Sequence, residues 1–446
     1  MMGGKTRSQK VRFKTVRLLL AWLFAFMTSL TAQSATAVPS PGPQIAQEPR
    51  VARATTWLER NTDWVTEQHI RITETPAPPF EEARRGALLK KLLEEVGLRC
   101  RPDEVGNIVC ERAGARGRRE AKAKDVVLIS AHLDTVFPPE TDVRVRKERG
   151  RLLAPGISDN SSGLAALLAV ARALHEGKVR TQATIVLAAN VGEEGEGNLR
   201  GMRKLMETYR GRLRAVIAID GASSDHVTSM ALASRRMEAI VEGPGGHSWA
   251  DFGIPNPIHA LGRGVARFVK VKVPESPRTS FNVGLIDGGT SVNSIPHHAS
   301  IKVDLRSESD PELDRLENAL REALQTGIEE EMAAARERGA VHNSAEILKL
   351  KVSVIGARPG GQLPADSFLL EAVRSADRHL GQRSRLERSS TDANIPLSLG
   401  IPAIALGGGG HGGGAHSLNE WYEPTGREVG LKRLLLTLLA VAGVEE

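Results

Sequence analysis

The stretch Leu128–Phe137, LISAHLDTVF, constrains the fold more than any other. Val127, Leu128, Ile129 and Ala131 are apolar, with Ser130 the one polar residue among them, and His132 and Asp134 follow. The run reads as a buried strand ending in His-x-Asp, whose alternation points both polar side chains the same way. An imidazole and a carboxylate exposed where a strand gives way to a loop form either a metal ligand with its supporting group or a plain hydrogen-bonded pair. Further polar residues at other strand ends decide between the two.

The start of the chain has a different character. Residues 1–37 hold six lysines and arginines and no acid, and an apolar run, Leu18–Leu30, leads to Ala35-Thr36-Ala37. This is the pattern of a Sec-type signal peptide cleaved near Ala37, with a periplasmic or secreted product. As a helix the run reaches roughly 20 Å, short of a ~30 Å hydrocarbon core, so no stable span is expected after cleavage. Removing the leader's six cations from the formal +7 leaves about +1, which takes away the main argument for a nucleic-acid partner. Roughly 410 mature residues favour two domains. The only cysteines, Cys100 and Cys110, flank a turn-like PDEVGN and are either a hairpin disulfide or two buried thiols.

Residues 38–52 read as a disordered mature N-terminus. Helices are expected at Thr55–Glu67 and Glu81–Val96, the latter capped by Gly97, before an exposed loop, Ala113–Lys124. After the opening strand, Asp159 stands before a helix of small and apolar residues, Leu164–His175, as a cation-bridging acid or an ordinary N-cap. The strand Ala183–Ala189 runs into Glu193-Glu194, and Ala215–Ile219 into Asp220. Adjacent acids in a dry site persist best beside cations, one as ligand and the other as general base, and the bland alternative is an acidic solvated turn. With a second histidine the set would furnish two zinc sites sharing a bridging carboxylate.

From Ser234 to about Arg358 the order changes to βαββαβ: Met237–Glu242, a helix from Asn256, Ser280–Ile286, Ala299–Leu305, a long helix Pro311–Arg338 and Ile347–Ile355. That order fits a ferredoxin-like insertion. It contains His247 after two glycines, Asn293 in GGTSVNSIP and Arg306 closing IKVDLR, each also readable as ordinary turn or surface polarity. A helix, Ser367–Leu380, and a strand, Ile401–Leu406, resume the first pattern, and a terminal helix, Glu428–Val444, closes it. The glycine tract between them lacks the Gly-Lys-Ser/Thr of a phosphate loop and delivers His416, which is preferred to the more mobile His411.

AHLDTV, SDNSSG, GEEGEG, AIDG, GPGGHSWA, GGTSVNSIP, VDLR, STDAN and GGGAHSLNEW occur in that order from about Arg53 onward. Together they make the chain resemble the di-zinc exopeptidases and amidohydrolases that include carboxypeptidase G, aminoacylase, succinyl-diaminopimelate desuccinylase and peptidase T. TDAN and GGHSWADFG look most like the peptidase T branch. The resemblance implies an α/β, three-layer zinc-exopeptidase catalytic domain (53–233 and 359–446) with an inserted ferredoxin-like lid or dimerisation domain (234–358). It implies that His132 and Asp220 hold one zinc, that Glu194 and His416 hold the other, and that Asp159 bridges them. Cobalt and manganese are alternative metals. Glu193 would be the general base and acid, and Asp134 would orient His132. His247, reaching a neighbouring subunit of a homodimer, would support the oxyanion, and Asn293 and Arg306 would hold the substrate. The role of Asp392 stays open. The expectation is an exported metallopeptidase cutting a terminal amide of small peptides. Its rivals are an N-acyl amino acid deacylase and a non-catalytic secreted module with structural metals.

Overall fold

The computed structural model describes residues 42–115, 124–340 and 348–445. The expected signal peptide, most of the expected Ala113–Lys124 loop and the first residue of the expected Ile347 strand lie outside them. Four parallel strands form the centre of a nine-stranded sheet, in the spatial order Thr184–Asn190, Val126–His132, Leu213–Ile219 and Ala403–Leu406. Every residue of Val126–His132 and Thr184–Asn190 is buried, which is why these strands read as continuous apolar runs rather than as alternation. Helices cover the sheet, and Ser162–Glu176, rich in alanine and leucine, is buried along nearly its whole length.

The chain leaves the His132 strand, adds its next strand on one side and the following one on the other. Such a reversal opens a crevice at the carboxyl ends of the strands. Register brings those ends level, with His132 opposite Asn190, Ala131 opposite Ile219 and Ile219 opposite Leu406.

The insert is a separate four-stranded antiparallel sheet with its own core. From edge to edge it runs Thr279–Gly288, His298–Ser307, Ala233–Glu242 and Lys349–Arg358, the ferredoxin-like order anticipated from the βαββαβ pattern. Helices Pro257–Phe268 and Asp310–Glu337 pack on one face, so His298–Ser307 alternates between buried and less buried positions. A third sheet, not anticipated, joins His411–Gly413, Trp421–Glu423, Arg151–Leu153 and Arg146–Glu148. It draws the approach to Asp159 against the loop that carries His416.

The expected disorder over 38–52 is corrected for its described part. Gly42–Gln47 and Pro49–Arg60 are helices. Glu48 caps the second by accepting from the Val51 N–H at 2.8 Å, and Val51, Ala54 and Leu58 are buried. Proline in the first turn starts this helix, where composition alone suggested disorder. The single helix expected over Thr55–Glu67 is divided at Asn61, and Thr62–Thr73 follows as a second one. Cys100 and Cys110 face each other across an antiparallel pair and are joined in a disulfide.

Candidate metal centre

Three strand ends and two loops converge at the crevice. His132 closes its strand with an almost fully buried ring. Its Nε2 lies 3.1 Å from Asp159 Oδ1 and 3.8 Å from Asp220 Oδ1. Asp159 turns its other oxygen to His416, whose Nε2 is 3.3 Å from Asp159 Oδ2 and 2.8 Å from Glu194 Oε1. The donor atoms form three triplets, two of which share Asp159, one with His132 and Asp220 and the other with Glu194 and His416, while the third joins His132 to Glu193 and Glu194. Tetrahedral zinc with bonds near 2.0–2.1 Å separates its ligand atoms by roughly 3.3 Å, close to these spacings. Imidazole nitrogens and carboxylate oxygens suit zinc or a similar divalent ion.

The electrostatics fit a cation in the same place. Burial alone would lower the His132 imidazole, but Asp134, Asp159 and Asp220 outweigh it and hold the ring well above its ordinary range. Hydrogen bonds that His416 donates to Asp159 and Glu194 push it up to about 10. Burial raises Glu193 well above the usual carboxylate range against the pull of Arg358, with the neighbouring Glu194 charge adding to the rise. Glu194 is raised as well, chiefly by burial. Raised histidines beside clustered acids mark a place where a cation would be favoured, and a metal pair there would need its histidines neutral and its acids ionised.

Asp134 lies beside His132 and also has a second role. The His132 Nδ1 is 3.1 Å from the Asp134 main-chain oxygen and 3.7 Å from its carboxylate. The carboxylate also accepts from the backbone N–H groups of Glu193 and Glu194, at 3.1 and 2.7 Å. Asp134 therefore fixes the turn that presents both glutamates. Glu193 follows directly, with Oε1 2.9 Å from Arg358 Nη1 and its carbonyl also held by Arg358.

His416 has φ +65, a left-handed conformation uncommon for a residue with a Cβ. The glycines before it allow close approach, since a Cβ on Gly412 would meet Ser158 Oγ at 2.2 Å. The competitor, His411, is exposed at the start of a short strand.

The lid residues stand apart. His247 is exposed and its Nδ1 accepts from Trp249 and Ala250. Asn293 accepts from Ser291, and Arg306 donates to Asp304 at 2.6 Å. Among the described residues, no hydrogen bond or ion pair joins these three to the metal cluster. Arg306 nevertheless lies opposite Ser234 on one side, as Arg358 does on the other, so the two arginines stand one strand apart at the domain boundary.

Sequence reasoning missed three residues. Arg358 ends a strand just as Arg306 does, and that shared signal could have found it. Glu420 is fully buried and accepts three backbone N–H groups, yet in HSLNEW it reads as one more turn acid. Asn190, the register partner of His132, donates to the buried Asp392 at 2.7 Å, and burial pushes Asp392 up to about 7.

A model of peptidase family M20/M25/M40 matches residues 128–440. The IAA-amino acid hydrolase ILR1-like 2 of Arabidopsis thaliana is 27% identical over 261 residues, 55% of this chain and 56% of that protein. The chain thus spans little more than half the length of that relative. Aminopeptidase PepT from Bacillus cereus ATCC 10987 superposes with a TM-score of 0.63 at 21% identity, covering 86% of this chain and 99% of that one. The YXEP protein of Bacillus subtilis, described as a dinuclear metal binding peptidase, gives 0.59 at 16% identity, covering 87% and 100%. The two structures share the fold.

Proposed function

The chain belongs to peptidase family M20/M25/M40, and from that premise we propose an exported di-zinc hydrolase that cuts a terminal amide bond of small peptides. The observation that carries the reading is the pair of donor triplets sharing Asp159, with Glu193 beside them. His132 and Asp220 would hold one metal and Glu194 and His416 the other, with one Asp159 oxygen directed to each. A metal pair held by these residues would supply Lewis-acid polarisation of the carbonyl and a lowered pKa for water. Five protein donors for two metals leave room for water and substrate, which argues against a purely structural centre.

Glu193 removes a proton from the attacking water and delivers it to the departing amine. Arg358 keeps the carboxylate oriented for this exchange. Arg306 binds the substrate carboxylate, Asn293 assists it, and His247 supports the oxyanion from a neighbouring subunit. A homodimer through 234–358 is supported by the edge strand Thr279–Gly288, which among the described residues pairs on one side only and exposes Leu285 and Ile286. Export is supported by the leader pattern and by the Cys100–Cys110 disulfide, which belongs to an oxidising compartment. No described helix is long and apolar enough to cross a membrane.

The likeness to an amino acid conjugate hydrolase favours a second reading, deacylation of N-acyl amino acids. Purified mature protein, loaded with zinc, cobalt or manganese, should be assayed on a tripeptide and on its N-acetylated form. Turnover of the free tripeptide, abolished by a chelator and restored by metal, is the expected result. Turnover of the acetylated form alone selects the second reading, and metal-independent hydrolysis refutes both.

A further inference from the structure

We propose that Glu420 is a positioning residue that holds Asp159 where it can bridge the two metals. The inference rests on the metal-centre reading above. Glu420 is fully buried, and its oxygens bind backbone rather than facing the donor triplets. Oε2 accepts from the Gly156 N–H at 2.8 Å, and Oε1 accepts from Ser158 and Asp159, both at 2.7 Å. These donors precede the helix that starts at Ser162, and Asp159 itself has non-helical backbone angles, so no helical ladder satisfies them. A carboxylate serves all three. Glutamine offers one acceptor oxygen and an NH2 that would oppose an N–H, and aspartate is one methylene too short.

The same residue belongs to the His416 loop. Its N–H donates to Ser417 and its carbonyl accepts from Ala154 at 3.2 Å. Glu420 therefore clasps the segment that delivers Asp159 to the segment that delivers His416. From the opposite side, His69 Nε2 donates to the Ile157 carbonyl at 2.6 Å, and Arg427 donates to His69 Nδ1 at 2.7 Å. The Asp159 loop is thus gripped through its N–H groups by Glu420 and through a carbonyl by His69.

The two metal positions do not depend on this clasp equally. His132 is buried and anchored in a central strand, whereas the His416 side chain is 54% exposed on the clasped loop. Loosening Asp159 should therefore weaken the His416 metal first.

The test titrates metal-free full chain with zinc against a competing chelator, reading stoichiometry and each affinity, with thermal unfolding of the metal-free protein alongside. Wild type should take two ions. Glu420→Gln should keep one at wild-type affinity and bind the second ~10–100-fold more weakly, the usual cost of losing a group that supports a ligand. Asp377→Asn, which breaks a buried pair with Arg433 among the outer helices, should lower thermal stability and leave both affinities intact. Glu420→Asp is the second variant should the glutamine form not fold, with the same result expected. Two wild-type affinities in a folded Glu420 variant would overturn the proposal, as would the same metal loss in Asp377→Asn. A wild-type chain that takes no zinc would instead remove the centre itself, and the proposal with it.

Discussion

The metal centre and the lid carry similar residue types under opposite conditions. At the centre, His132, Asp134, Glu193 and Glu194 are buried, and main-chain groups or neighbouring side chains fix each one. On the lid, His247 and Asn293 are exposed and Arg306 is partly so, and their side chains bond only to residues close by in sequence. Between the two bodies run a few polar contacts. Lys302 meets Glu196, Asn198 accepts from the Ala357 N–H, and Arg358 meets Glu193. On the proposed function, the difference would separate two tasks: a preorganised centre would stabilise developing charge without rearranging, while exposed groups on a second body would meet the substrate.

The sharpest way to break the comparison is at Glu193. Glu193→Gln should retain both metals yet lose ~10²–10⁴-fold in kcat. Near-normal turnover would place the base elsewhere. Arg306→Ala on the lid should instead raise KM roughly 10–100-fold for substrates with a free carboxylate, with metal content unchanged, consistent with loss of a charged hydrogen bond. A drop in kcat at constant KM would show that the lid takes part in the chemistry.

Arg358 sits between the two regions. Its charge pulls the Glu193 pKa down against burial, so Arg358→Gln should let that pKa rise further. The base form is then populated only at higher pH, and the acid limb of kcat/KM should move up by ~1–3 units. An unmoved limb would show that the pair does not set the base.

The smallest effect concerns stability behind the centre. Burial, aided by Arg427, holds His69 well below its ordinary pKa, so it is neutral when folded. Below about pH 6.5 the unfolded histidine takes up a proton that the folded one refuses, and stability falls with pH. Between pH 6.5 and 5.5 wild type should lose about 1 kcal/mol more than His69→Gln, read by denaturant unfolding at each pH. Equal losses would show that His69 is not held neutral.

Much of the centre was legible because it lies where strands stop. An apolar run ending in His132, another in Glu193-Glu194 and another in Asp220 are local patterns, and the βαββαβ order of the insert is one too. Arg358 was legible in principle, closing a strand as Arg306 does. Glu420 was not, because a buried acid that accepts backbone N–H groups looks the same in sequence as a solvated one. The helical residues from 42 to 52 were misread for a related reason, since burial there depends on a core formed by distant strands.

What the sequence by itself determined is the set of donors and their order along the chain, because ligand chemistry and strand ends are written in short stretches. What only the tertiary structure decided is the pairing: Asp134 with the Glu193-Glu194 backbone, Glu420 with the Asp159 loop, Arg358 with Glu193, and Cys100 with Cys110. Which partner a buried polar group finds depends on what the fold brings beside it, and apart from the Cys100–Cys110 hairpin these partners lie far from it in sequence.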